Sequence, residues 1–191
     1  MTKPIERGEV LGLAEYEAVR PHFRARVIEE KKRRRVSLGP RASALFESRD
    51  TVLLQIQEML RTERITRDSA VQHEIDTYNE FIPGDRELSC TVMIEIADKD
   101  EREKLLAEAR GIESAFSIVA GGETCPGHTT PDRISPDRAS AVIYLKLPLG
   151  ERAAAAIKSG EPVELRVDHA AYRAAAKLPP ALVADLAEDL A

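Results

Sequence analysis

Residues 88–168 spell one plan twice, and that repeat constrains the fold more than any other feature of the chain. In "ELSCTVMIEIAD", Leu88, Cys90, Val92, Ile94 and Ile96 alternate with Ser89, Thr91, Met93, Glu95 and Ala97. A period of two with one apolar face predicts a strand. "DKDEREKLLAEAR" then predicts a short helix capped by Asp98 or Asp100 and ended by Gly111, and "SAFSIVAGG" a second strand. The order recurs as "SAVIYLKLP" (strand), "GERAAAAIKSG" (helix) and "PVELRVD" (strand), so that Thr91–Gly122 lies over Ala141–Ala171. A doubled βαβ unit folds most economically as a ferredoxin-like βαββαβ sandwich. The right-handed crossover rule leaves few alternatives.

Upstream of Pro83 and Gly84 the period is helical. Tyr16, Val19, Phe23, Val27 and Ile28 predict a helix over Leu13–Val36, stopped by Gly39 and Pro40. A second helix is predicted over Pro40–Arg64, striped by Leu45, Val52, Leu53, Ile56, Met59 and Leu60. A third covers Asp68–Phe81 with Thr66 or Asp68 as its cap. "PPALVADLAEDL" predicts a last helix. The fold class expected is therefore α+β. It comprises a helical region (1–83), a ferredoxin-like βαββαβ region (84–170) and a C-terminal helix (171–191).

Charge supports the same boundary. The 191 residues carry a net charge of −5, divided as +1 over residues 1–81 and −6 over 82–191. A chain of that sign has no general attraction to nucleic acid or to an acidic membrane surface. Aromatics are 4% of residues and Trp is absent, so the core must be built from Leu, Ile, Val and Ala. The first ten residues show no apolar signal segment and no apolar run approaches a membrane span. With two cysteines and no CxxC pair, a reducing cytoplasmic setting with free thiols is expected.

Three stretches carry candidate chemistry. "EEKKRRRVSLGPR" holds five consecutive basic residues, Lys31–Arg35, from which Arg34 and Arg35 are candidate anion ligands. Pairing of Glu29 with Arg33 and Glu30 with Arg34 at i,i+4, and complementation of a helix C-terminus, make a solvated or interface role the first-ranked reading of the run, ahead of anion binding. No aromatic residues interleave, so base stacking is unsupported and nucleic acid is the third-ranked reading. In the connection Gly121–Arg138, Cys125 and His128 supply two ligands where a metal site needs three or four. Cys90 reads as core and His169 is the remaining candidate donor, so no metal or cofactor is predicted. In "DHAAY", Asp168 and His169 point to opposite strand faces, and Asp168 is expected to cap a helix.

The fourth stretch, "FESRDTVLLQIQEMLRTERI", predicts a polar stripe beside an apolar one. Gln55, Glu58 and Arg61 lie in or beside it. A solvated, salt-bridged face explains such a stripe. If the helices pack on the open face of the sheet, it instead lines a groove, where ligand sites concentrate. Arg61 would then meet an anion, oriented by Glu58 and Gln55.

"KKRRRVSLGPRASALFESRDTVLLQIQEMLRTERI", "YNEFIPGDRELSCTVMIEI" and "VDHAAYRAAAKL" resemble, over nearly the full chain, a family of bacterial proteins of similar length with no assigned function. The resemblance implies genes beside rubrerythrin and an iron–sulfur oxidoreductase, and so a supporting role in redox or peroxide metabolism. It transfers no catalytic residue. The expected function is a non-catalytic accessory protein binding a protein partner or a small anionic ligand; a homodimer is compatible with the sequence. A small enzyme or metal-dependent redox protein using an interdomain groove is the alternative.

Overall fold

The computed structural model describes residues 3–130 and 133–190. Its helices are α1 (Leu13–Arg33), α2 (Arg49–Thr62), α3 (Asp68–Asn79), α4 (Lys99–Glu108), α5 (Glu151–Lys158) and α6 (Pro180–Asp189). Its strands are β1 (Arg35–Ser37), β2 (Ala42–Phe46), β3 (Glu87–Ile94), β4 (Phe116–Ala120), β5 (Glu123–Pro126), β6 (Val142–Pro148), β7 (Val163–His169) and β8 (Tyr172–Lys177). The class is α+β. Local signals act where the sequence places them: the Asp98 carboxylate accepts from Glu101 N–H at 2.8 Å and caps α4. Lys31, Lys32 and Arg33 occupy the last turn of α1, at the negative end of its dipole. Asp68 is the first residue of α3 rather than its side-chain cap.

The strands form two antiparallel sheets, ordered β1-β2-β3-β6 and β5-β4-β7-β8. The predicted repeat is present, but its arrangement corrects the ferredoxin-like expectation. Each copy leaves one sheet, crosses by a helix, and enters the other: β3–α4–β4 and β6–α5–β7. Equivalent strands then pair antiparallel, β3 with β6 and β4 with β7, the relation expected of a two-fold repeat. A ferredoxin-like sheet needs both strands of each unit in one sheet, with a strand of the other unit between them. Here each unit's second strand instead turns back into a hairpin, β4–β5 or β7–β8, and that hairpin seeds a sheet of its own.

Four strands lie outside the predicted ones, each for a physical reason. β1 and β2 occupy residues assigned to helices, and Gly39 (φ 74°) turns the chain between them. All five residues of β2 are buried, so covering on both faces leaves no alternation to read. The region 1–83 is therefore not purely helical. β5 begins in the expected loop after Gly121 and Gly122, whose φ values of 56° and 71° suit a two-residue hairpin turn. β8 follows a turn at Ala170–Ala171, so Asp168 lies within β7 and caps no helix. Its Ala-rich sequence has little strand propensity and is held by pairing with β7. Residues 131 and 132 of the predicted loop lie outside the described residues.

The core divides in two. The larger part fills the space between the sheets and under α4, α5 and α6, including Phe46, Leu88, Val92, Ile118, Leu145, Leu165 and Leu186. The smaller joins α2 and α3 to the N-terminal segment through Ile5, Val10, Ile56, Leu60, Ile75, Phe81 and Ile82. Ser89 and Thr91, predicted on the wet face of β3, are both buried, because the helices cover that face as well. No helix among the described residues is long and apolar enough to cross a membrane.

Candidate functional site

Where the smaller core meets the first sheet, a cleft of about 280 Å³, open mouth included, lies between the end of α3 and β6. Its wall is the Phe81–Tyr144 pair, stacked with centroids 4.2 Å apart and planes 20° apart. Over both rings lies the Arg133 guanidinium, 4.8 Å from the Phe81 centroid and 5.4 Å from that of Tyr144. A guanidinium stacked on rings keeps its N–H edge for acceptors. Nη2 donates to Glu80 at 3.0 Å. Lys146 lines the same cleft and donates to the Glu87 carboxylate and to the Ile82 carbonyl, each at 2.7 Å.

Behind the rings the packing turns polar. Gln55 approaches the hydroxyls of both Tyr78 and Tyr144 and slightly favours their ionised forms. Burial is the larger effect and raises both phenols above their ordinary range. Glu47, 4% exposed, accepts from Thr51 Oγ1 at 2.5 Å and Thr91 Oγ1 at 2.6 Å. It immediately precedes the Ser48 cap of α2. Thr91 is the register partner of Tyr144, and the Glu47 charge contributes to the raised Tyr144 hydroxyl.

The predicted stripe on α2 is split between two surroundings. Gln55 lies toward Tyr78 and Tyr144, whereas Glu58 and Arg61 face α1. Glu58 is held by Arg20 through two hydrogen bonds (2.7 and 2.9 Å) and by the Tyr16 hydroxyl at 2.6 Å. Arg61 pairs with Glu17 at 2.6 Å. The expected Glu58–Arg61 pair is replaced by these partners because α1 lies along α2. The Arg20 hydrogen bonds, with smaller help from Tyr16, lower the Glu58 carboxyl from 4.5 to about 2. Burial and the Glu58 carboxylate raise the Tyr16 hydroxyl well above its ordinary range. Because the Glu58 value is depressed in the folded state, its contribution is present above pH 4.5 and is lost as pH falls toward 2. A double-mutant cycle on Tyr16→Phe and Glu58→Gln should give a coupling of about 1 kcal/mol or more, as for a hydrogen bond to a charged group. The cycle on Glu58 and Arg61 should stay within about 0.2–1 kcal/mol. Both are read by urea unfolding at pH 7, and equal couplings would reject the assignment.

The basic run is also divided. Arg34 is 5% exposed and its guanidinium binds Asp189 at 2.6 and 3.0 Å, so it is not available to a ligand. Its Nε lies 3.2 Å from Glu30, while Arg33 turns to Asp185 at 3.5 Å rather than to Glu29. Arg35 is exposed, pairs with Glu95 at 3.1 Å, and lines an open groove with Lys31 and Lys32. Cys125 is buried on β5 while His128 is exposed, so the two do not face one site. His169 Nδ1 accepts from Ala171 N–H, which leaves Nε2 as donor to the Arg110 carbonyl. Among the described residues, no three His, Cys, Asp or Glu side chains converge as a metal-ligand set.

Sequence reasoning missed Phe81, Arg133, Tyr144 and Lys146 as a group. One signal was present: of eight Phe and Tyr residues, three (Tyr78, Phe81 and Tyr144) meet at this cleft. The partnership spans more than sixty positions, so no local pattern reports it.

The chain is similar to a protein of known crystal structure, a novel protein of unknown function from Burkholderia pseudomallei K96243. Identity is 34% and the TM-score 0.92, with 99% of this chain and 100% of that one covered. No curated protein matches the sequence. The family model described as "Protein of unknown function (DUF3501)" matches residues 4–190, and the chain belongs to that family.

Proposed function

We propose that this protein is a non-catalytic binding protein that takes a small anionic ligand at the cleft between α3 and β6. The observation that carries this reading is the Arg133 guanidinium, which lines the cleft beside Phe81 and Tyr144, 4.8 and 5.4 Å from their ring centroids. Glu80, the present acceptor, has a side chain 53% exposed. An exposed pair is worth about 0.2–1 kcal/mol, so a ligand carboxylate or phosphate can replace it at little expense. Lys146, paired with Glu87, adds a second cation, and Thr129 and Thr130 add polar groups for orientation. The cleft is shallow and small, and suits a single charged group with few further atoms rather than a nucleotide.

The supporting role in redox or peroxide metabolism belongs to this reading as its cellular setting. An accessory protein that senses a small anion needs no redox group of its own. The test is a thermal-shift and calorimetric screen of inorganic phosphate and of short mono- and dicarboxylates against the wild type and Arg133→Ala. At least one anion should raise the wild-type unfolding temperature, and Arg133→Ala should weaken that anion about tenfold or more, as loss of a charge-assisted bidentate contact requires. A screen without a hit, or a hit equally tight in Arg133→Ala, would reject the site.

A further inference from the structure

The second sheet ends in an edge that is long and open, with Arg173 and Lys177 as its charged side chains. Leu178 N–H donates to the Val163 carbonyl at 2.9 Å, so the backbone of Leu178 addresses β7. Peptide direction alternates along a strand, so Tyr172, Ala174 and Ala176 also address β7. Arg173, Ala175 and Lys177 therefore turn their N–H and C=O groups outward. None of these outward groups has a backbone partner among the described residues, and β7 is the strand that pairs along β8. The three side chains share the solvent face and are all exposed. The other sheet ends differently: β1 is three residues long, and β6 is bridged to His128. β8 runs for six residues with three consecutive alanines, which let another backbone approach, and it carries neither proline nor bulge.

We infer that β8 is a β-augmentation site for an extended acidic segment of a partner protein. Strand addition uses the outward backbone groups for affinity and the flanking side chains for choice of partner. Here the outward positions read cation, alanine, cation. A second copy of the chain fits poorly. The antiparallel register centred on Ala175 sets Arg173 opposite Lys177 twice, and like charges directly opposite are destabilising. Registers displaced from it pair two of the three outward residues. An incoming strand with carboxylates two positions on either side of a small residue meets Arg173 and Lys177 in either direction. The present partner of Arg173, Asp168, lies at 2.7 Å in a pair whose side chains are 73% and 81% exposed, so it yields readily. The site is distinct from the α3–β6 cleft and does not depend on it.

The probe is a fluorescein-labelled peptide, Thr-Glu-Val-Ala-Val-Glu-Thr, beside a control with Lys at both Glu positions. Amide exchange at Arg173, Ala175 and Lys177 should be fast in the free protein and slowed by the acidic peptide, while Ala174 and Ala176 stay protected throughout. Ala175→Pro removes an outward N–H and no bond to β7, so it should fold and bind about tenfold or more weakly. Arg173→Glu with Lys177→Glu should reverse the preference and take up the Lys control, a gain that misfolding cannot imitate. The inference is overturned if those amides are already protected in the free protein, if neither peptide binds, or if both bind alike. It is overturned equally if Ala175→Pro leaves binding intact or dissolves a dimer seen by light scattering, which would make a second copy the occupant.

Discussion

Arg34→Ala should lower the folding stability by about 3–5 kcal/mol, the range for breaking a buried ion pair by removing one partner. Arg34 closes α1 and clamps the last turn of α6, 155 residues away, through two hydrogen bonds to Asp189. Its side chain is 6% exposed, and those of Glu30 and Asp189 are 14% and 16%. Truncation strands both carboxylates out of water, together with the half-buried Asp185. At about 2–4 °C per kcal/mol for a chain of this size, the unfolding temperature should fall by roughly 6–20 °C.

The pH dependence identifies the cause. Burial raises the Asp189 carboxyl above its reference of 3.8, and Arg34 only partly offsets this. A raised acid pKa in the folded state means that its stability is full below the unfolded value and is lost as pH rises through the folded one. Without Arg34 the offset disappears, so the deficit of the variant should be greatest near pH 7 and shrink below about pH 4. Urea unfolding across that range measures it. A deficit under about 1 kcal/mol at pH 7 would class the clamp with ordinary surface pairs.

Glu113→Met should act in the opposite direction and stabilise the protein by about 1–4 kcal/mol, the gain found when buried charges give way to apolar groups of similar size. Glu113 lies in the single 3-10 turn Ile112–Ser114 between α4 and β4. It is 3% exposed, and neither carboxylate oxygen has a hydrogen-bond partner among the described residues. A buried carboxylate without a partner opposes folding unless it is neutralised. Methionine fills a similar volume and adapts to irregular surroundings. Thermal unfolding at pH 7 should show a rise of roughly 2–16 °C. A fall instead would show that the carboxylate holds a partner in solution.

The sequence by itself determined the elements whose signal is local. α3, α4, α5 and α6 follow from apolar spacing and end signals, and β3, β4, β6 and β7 from alternation, because each needs only its own neighbours. The repeat and the helical-to-extended change at Pro83–Gly84 were legible for the same reason, as was the membership of a family without assigned function.

Tertiary structure alone decided the rest. β2 shows no alternation because both its faces are covered, and β8 is a strand because β7 pairs with it, against the preference of its alanines. Which sheet each repeat strand enters depends on hairpins formed later in the chain, so the pattern strand-helix-strand fits two topologies equally. The partners of Glu58, Arg61 and Arg34 lie 38, 44 and 155 residues away. Charges attract without regard to sequence distance, and a charged residue always has some opposite charge nearby in the chain to suggest itself as a partner. The cleft at Phe81, Arg133 and Tyr144 forms where three distant segments meet, and only packing brings them together.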